Sequence, residues 1–217
     1  MNAHAGPTST SPLIHVVDDD AAVRDALALL IGSVGLRVQT WGDPLAFVAG
    51  FEREAIGAVV LDLRMPAMSG IALLERLVAE GVDQPLIMLT GHGTVALCRR
   101  AFKSGAAEFL EKPVNDDLLI DTLQQAVRQH VRTRSRNATD RAARERYARL
   151  SEREREVLSL IVGGLTNKEI GRALGLSPRT VENHRAHVFE KLQAESLAQV
   201  VRQYAALVEQ GDATDAE

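Results

Sequence analysis

Five short apolar runs punctuate the first half of the chain, and four of them lead into polar residues with distinctive chemistry. Residues 13–17 stop at Asp18-Asp19-Asp20, 58–61 at Asp62, and 86–89 at Thr90-Gly91; 108–110 lead to Lys112-Pro113, and 36–41 form the remaining run. Helical patterns fill the gaps. Val23, Leu27, Leu30, Ile31 and Val34 share one helix face with Gly35 placed to end it, and Asp43-Pro44 reads as an N-cap followed by proline at the first helical position. Apolar runs alternating with helices predict a doubly wound α/β fold, a five-stranded parallel sheet of order 2-1-3-4-5. Such sheets bind ligands beyond the carboxyl ends of their strands, where the strand order reverses. The polar residues sit at that edge.

From about residue 132 the pattern changes. Residues 133–149 hold six arginines against Asp140 and Glu145, followed by four helical segments with no strand signal. The expected organisation is a disordered tail over 1–11, an α/β domain over 12–132, a partly helical linker over 133–148, an all-α four-helix domain over 149–210 and a second disordered tail over 211–217. Residues 1–132 carry 11 Lys/Arg against 16 Asp/Glu, and 133–217 carry 14 against 13. That asymmetry alone is weak support for a nucleic-acid partner, because charge runs are commonly solvated faces. A single cysteine, Cys98, excludes an internal disulfide framework and suits a reducing cytoplasm. No stretch reaches the roughly 18 apolar residues of a membrane span.

In the order 2-1-3-4-5, strands 1 and 3 are neighbours, which brings Asp18, Asp19 and Asp62 together. Unit charges about 4 Å apart repel by roughly 4 kcal/mol at an effective dielectric of 20, so the three carboxylates need a cation among them or must hold their protons more tightly. Oxygen ligands with room for water suit Mg²⁺. Lys112 adds a positive point charge and Thr90 a hydroxyl, completing a constellation able to hold a phosphoryl group, with Asp62 as its nucleophile. Taken singly, each residue reads as a cap, a turn or a solvated surface group; successive strand ends carrying all of them do not.

The motifs Val16-Val17-Asp18-Asp19, Leu61-Asp62-Leu63-Arg64-Met65-Pro66, Leu89-Thr90-Gly91 and Glu111-Lys112-Pro113 resemble the receiver domains of response regulators. The resemblance implies that Asp62 takes a phosphoryl group from a partner histidine kinase, with Asp18, Asp19 and the Arg64 backbone carbonyl helping to hold Mg²⁺. It further implies a switch in which Thr90 turns toward the phosphate and Phe109 moves inward. Many receivers have tyrosine at that position; Phe109 lacks the hydroxyl and equally suits an ordinary core position. Arg64 and His92, two residues beyond Asp62 and Thr90, are placed either to flank the path of water to an acyl phosphate or as plain exposed loop residues.

In the second half, Thr166 and Glu169 form a capping box, Gly175-Leu176 a tight turn, and Ser177-Pro178 opens a longer helix: the layout of a helix-turn-helix. Val181, Val188 and Leu192 mark the core face of that second helix. Arg179, Glu182, Asn183, Ala186 and His187 lie on the other face, where Asn183 can read adenine, Glu182 cytosine and Ala186 a thymine methyl. The runs Leu150-Ser151-Glu152-Arg153-Glu154-Arg155-Glu156-Val157-Leu158, Gly164-Leu165-Thr166-Asn167-Lys168-Glu169-Ile170 and Ser177-Pro178-Arg179-Thr180-Val181-Glu182-Asn183-His184 resemble the LuxR-type output domain, and the whole chain resembles the FixJ-like response regulators. This implies a transcription regulator that binds double-stranded DNA through Lys168, Arg179, Thr180, Glu182, Asn183, Arg185, Ala186 and His187 and works with RNA polymerase. Arg185 departs from the pattern, replacing an apolar residue.

A homodimer on phosphorylation is expected, with Arg99, Arg100 and Lys103 facing Glu108 and Glu111 of a second copy. Two other readings compete. A phosphatase of the haloacid-dehalogenase kind would use Asp62 as nucleophile, but it usually has a general-acid Asp two residues later, where this chain has Arg64. A partner-binding scaffold would show no salt-dependent duplex binding. The expectation is a protein that is not an enzyme beyond its own phosphorylation and dephosphorylation.

Overall fold

The computed structural model describes residues 11–91 and 93–214. His92 and the terminal segments 1–10 and 215–217 lie outside the described residues, and with them most of the expected disordered tails. The chain divides into two units, Met1–Thr133 and Arg134–Glu217.

The first unit alternates β1 (Leu13–Val17), α1 (Ala21–Ser33), β2 (Arg37–Trp41), α2 (Pro44–Gly50), β3 (Gly57–Asp62), α3 (Gly70–Ala79), β4 (Leu86–Thr90), α4 (Val95–Lys103) and β5 (Glu108–Glu111) before α5 (Asp116–Ala148), whose residues from Arg134 on belong to the second unit. The strands form one sheet in the predicted order β2-β1-β3-β4-β5, all parallel. Alternate side chains on each strand point to opposite faces, so the sheet builds two cores. Val17, Val59, Leu61 and Met88 pack with Phe47, Leu74 and Leu77, while Ile14, Val16, Val60, Ile87 and Leu89 pack with Leu27, Ile31, Leu119 and Leu123. The predicted cap of α2 forms, with Asp43 accepting from the Leu45 N–H, and Asp20 caps α1 in the same way through the Ala22 N–H. Val34 falls outside the core face expected of it: it is the C-cap of α1 and is exposed.

The second unit contains α6 (Glu152–Val162), α7 (Asn167–Leu174), α8 (Pro178–Leu192) and α9 (Leu197–Thr214). Capping boxes start α6 at Ser151/Glu154 and α7 at Thr166/Glu169. Val181, Val188 and Leu192 of α8 are fully buried, as their spacing requires.

Two expected boundaries are corrected. Residues 133–148 belong wholly to α5, because this charged stretch has no glycine or proline to stop a helix and gains the i,i+4 pairs Arg136–Asp140 (3.9 Å) and Arg141–Glu145 (3.0 Å). Helix α9 runs to Thr214, past the end expected at 210.

Candidate functional site

Strand register assembles the first site. Val17 pairs with Leu61, which sets Asp18 and Asp62 side by side one residue further on; Thr90 pairs with Glu111, which places Lys112 just past the end of β4. The Lys112 Nζ donates to Asp18 Oδ2 and to Asp62 Oδ1, each at 2.6 Å. The remaining oxygens are also occupied: Asp18 Oδ1 accepts from the Asp20 N–H (2.9 Å) and Asp62 Oδ2 from the Arg64 N–H (2.6 Å). Asp18, Asp62 and Thr90 are buried. Burial works to lower the pKa of Lys112, but its hydrogen bonds to Asp18 and Asp62, with their charges, outweigh this and hold it above the ordinary lysine value.

The expected three-carboxylate cluster is not what forms. Asp19 is exposed, and no group of three His, Cys, Asp or Glu side chains converges as a metal site among the described residues. Lysine stands between two carboxylates instead, since an ammonium relieves their repulsion and bonds to both. The Arg64 side chain is exposed, while Phe109 is half-buried beside Gly93, Thr94 and Cys98.

Two supports of this site escape motif reading. On α1, Arg24 Nη1 donates to the Asp18 carbonyl at 2.7 Å. At the start of α3, a Cβ on Gly70 would lie 2.1 Å from the Asp62 carbonyl oxygen, so only glycine allows that helix so close to the acidic strand end. The first has a weak signal, an arginine within the first turns of a helix; the second has none short of the fold.

Of the residues expected to pair across copies, Arg99 lines the same depression as Phe109 and Glu111. Arg100 is turned elsewhere, its Nη2 meeting Glu75 of α3 at 3.3 Å. Lys103 is exposed and Glu108 half-buried. Glu111 Oε1 accepts from the Gly93 N–H at 3.2 Å.

The second site is the outer face of α8. Arg179, Glu182, Asn183, Ala186 and His187 are exposed along it, as is Lys168 on α7. The Thr180 hydroxyl is taken up at the helix start by Ser177 Oγ, 2.8 Å away. Arg185 lies half-buried with its guanidinium carbon 6.0 Å from the centre of the Phe189 ring, which reconciles a charged group with a position that otherwise carries an apolar one.

The response regulator receiver domain family matches residues 14–124, and the bacterial regulatory proteins of the luxR family match 148–204. The transcriptional regulatory protein FixJ of Bradyrhizobium diazoefficiens is 43% identical over 194 residues, covering 89% of this chain and 95% of its own length. The chain belongs to the FixJ-like response regulators. The C4-dicarboxylate transport transcriptional regulatory protein DctR of Rhodobacter capsulatus is 39% identical, covering 87% of this chain and 97% of its own. Among solved structures, the response regulator StyR superposes with a TM-score of 0.81 at 37% identity, over 90% of this chain and 99% of its own. Full-length FixJ from B. japonicum gives 0.56 at 42% identity, over 89% and 96%. This response regulator therefore couples a receiver domain to a LuxR-type DNA-binding domain in transcriptional regulation. Among the described residues no helix is long and apolar enough to cross a membrane.

Proposed function

We propose that this response regulator accepts a phosphoryl group on Asp62 from a partner histidine kinase in the cytoplasm, and that the acyl phosphate controls dimerisation and sequence-specific DNA binding. The observation that carries the reading is the Lys112 ammonium bound to both Asp18 and Asp62 at the carboxyl edge of the sheet. In the transfer, a carboxylate oxygen of Asp62 forms the new bond to phosphorus. The bond from phosphorus to the kinase histidine nitrogen breaks, and its electron pair returns to the imidazole. Lys112 neutralises charge on the phosphoryl oxygens, and the Thr90 hydroxyl at the end of β4 donates to one of them. The Arg64 N–H, which already holds Asp62 Oδ2, keeps the carboxylate oriented.

Oxygen donors and a cation requirement fit Mg²⁺, which is commonly held by one or two carboxylates with retained waters. Asp18, Asp62 and the Arg64 carbonyl would hold it, and Asp19, exposed beside Asp18, would have to turn inward to join them. When bound it supplies positive charge to the transferring phosphoryl oxygens. With Arg64 in place of a general acid, the protein acts on its own acyl phosphate and is not a phosphatase of external substrates.

Phosphorylation draws Thr90 toward Asp62 and shifts Phe109, altering the α4–β5 face that bears Arg99, Lys103, Glu108 and Glu111. Arg100, tied to Glu75, joins that face only by leaving its partner. Two copies then present two α8 helices to duplex DNA, reading a pseudo-palindrome and working with RNA polymerase. The test is phosphorylation with labelled acetyl phosphate and Mg²⁺. Asp62→Asn keeps the fold and forms no alkali-labile phosphoprotein. Equal labelling of the Asn variant, with the same lability, would remove Asp62 from the role.

A further inference from the structure

The first turn of α6 breaks a local rule. A helix N-terminus carries partial positive charge and favours acids, as Glu152 and Glu154 illustrate, yet Arg153 sits between them. What offsets this lies on another helix. Arg153 Nη2 donates to the carbonyl of Leu174 at 2.6 Å, across 21 residues of sequence. Leu174 is the last residue of α7, where carbonyls lack intrahelical partners and the helix end carries partial negative charge. Its neighbour Gly175 is left-handed, with φ 67°, and Ser177 already caps α8. The whole turn that aims α8 is thus gripped at its first residue by a cation from α6.

The packing around that turn leaves little slack. A Cβ on Gly171 would come within 2.8 Å of the Leu176 carbonyl oxygen, and the Leu176 N–H donates to the Gly171 carbonyl at 2.9 Å. Arg153 is half-buried, and its other terminal nitrogen, Nη1, is held by Glu156. The guanidinium is therefore braced on both sides, by the Leu174 carbonyl and by the exposed Glu156.

We infer that Arg153 is a positioning residue for sequence readout: through the Leu174 carbonyl it fixes the turn that orients α8 in the groove, without itself touching DNA. The inference rests on the DNA-reading function of this domain and names the residue that makes the reading selective. A displaced turn tilts α8, which penalises base-edge contacts, whose geometry is strict, far more than phosphate contacts, which tolerate small movements.

The experiment uses the phosphorylated full-length protein. Duplexes enriched from a random-sequence pool by the wild type serve as the specific probe, and a shuffled duplex of equal composition as the non-specific one. Arg153→Ala lowers the ratio of specific to non-specific affinity roughly tenfold, the effect of losing one hydrogen bond from a charged donor. Non-specific affinity and its salt dependence stay at wild-type values, and Arg153→Lys, which keeps the charge and a donor, recovers part of the ratio. Helical ellipticity is recorded for each variant. Should Arg153→Ala lose it, Arg153→Gln carries the test, with the same loss of ratio expected. An equal loss on both duplexes with a salt slope shallower by about one would make Arg153 a phosphate contact and overturn the inference. An unchanged ratio in a folded variant would overturn it as well. A wild type that enriches no duplex and shows no salt-dependent binding would instead remove the DNA-reading function on which it rests.

Discussion

Two lysines bind buried carboxylates in this protein, and their surroundings differ in one respect. Lys112 is shared between Asp18 and Asp62, one cation against two anions. Lys191, near the end of α8, meets a single carboxylate, Glu154 of α6, at 2.6 Å. The same Glu154 oxygen also accepts from the Ser151 N–H (2.7 Å) and Oγ (3.0 Å). Burial works to raise the pKa of Glu154, yet the bonds from Lys191 and Ser151 outweigh it and hold the carboxyl at about 2. The second arrangement is closed, with charges equal and donors matched to acceptors. The first shares one ammonium between two buried carboxylates, in a place where an unpaired charge is expensive. A structural ion pair settles its charges; a site keeps an imbalance that an incoming cation or phosphoryl group can use.

Replacing each lysine gives the largest contrast. In Lys112→Met the two oxygens that each stood 2.6 Å from Nζ lie within 5.2 Å of each other without a cation. Their repulsion is about 3 kcal/mol at an effective dielectric of 20, and the receiver loses stability of that order. Added Mg²⁺ restores part of it. Lys191→Met costs the output unit about 1–2 kcal/mol, since Lys191 is partly solvated, and Mg²⁺ restores none. Trp41, the sole tryptophan, reports the receiver by fluorescence, and ellipticity reports the whole chain. Equal rescue of both variants, or of neither, erases the distinction.

Acidification sharpens the comparison. His15 is fully buried in β1, its Nδ1 accepting from Trp41 Nε1 at 3.2 Å, and its pKa is lowered from 6.5 to about 4 by burial and then by Arg37. A folded-state pKa below the unfolded one means that unfolding takes up a proton. This stability is complete above pH 6.5 and is lost as pH falls through 4, by at most about 3 kcal/mol. The Glu154 contribution, with a folded value of about 2, is complete above 4.5 and is lost only as pH falls toward 2. The receiver therefore weakens first. Urea titrations at pH 7, 5 and 4, followed at Trp41 and by ellipticity, test the order; His15→Phe should flatten the receiver's response. An output unit that weakens first reverses the assignment.

The smallest effect is expected at the mouth of the charged site. Arg64 has its N–H committed to Asp62 while its side chain is exposed. Arg64→Ala changes the decay rate of the acyl phosphate severalfold and leaves Mg²⁺ affinity unchanged. Superimposable decay curves would assign the Arg64 side chain to solvent alone.

The alternation of strands and helices, the strand-end positions of Asp18, Asp62, Thr90 and Lys112, the α2 cap, and the core and outer faces of α8 were legible in the sequence. These follow from short-range causes: two-residue and 3.6-residue periodicities, caps, and the topological rule for parallel strands. Tertiary structure alone decided which groups touch. It placed Lys112 between Asp18 and Asp62 with Asp19 outside, turned Arg100 to Glu75, brought Arg24 to the Asp18 carbonyl and Arg153 to Leu174, and continued α5 through residues expected as a linker. Long charged side chains have several partners within reach of one backbone position. The choice among them depends on distances and burial between segments far apart in the chain, which no local pattern encodes.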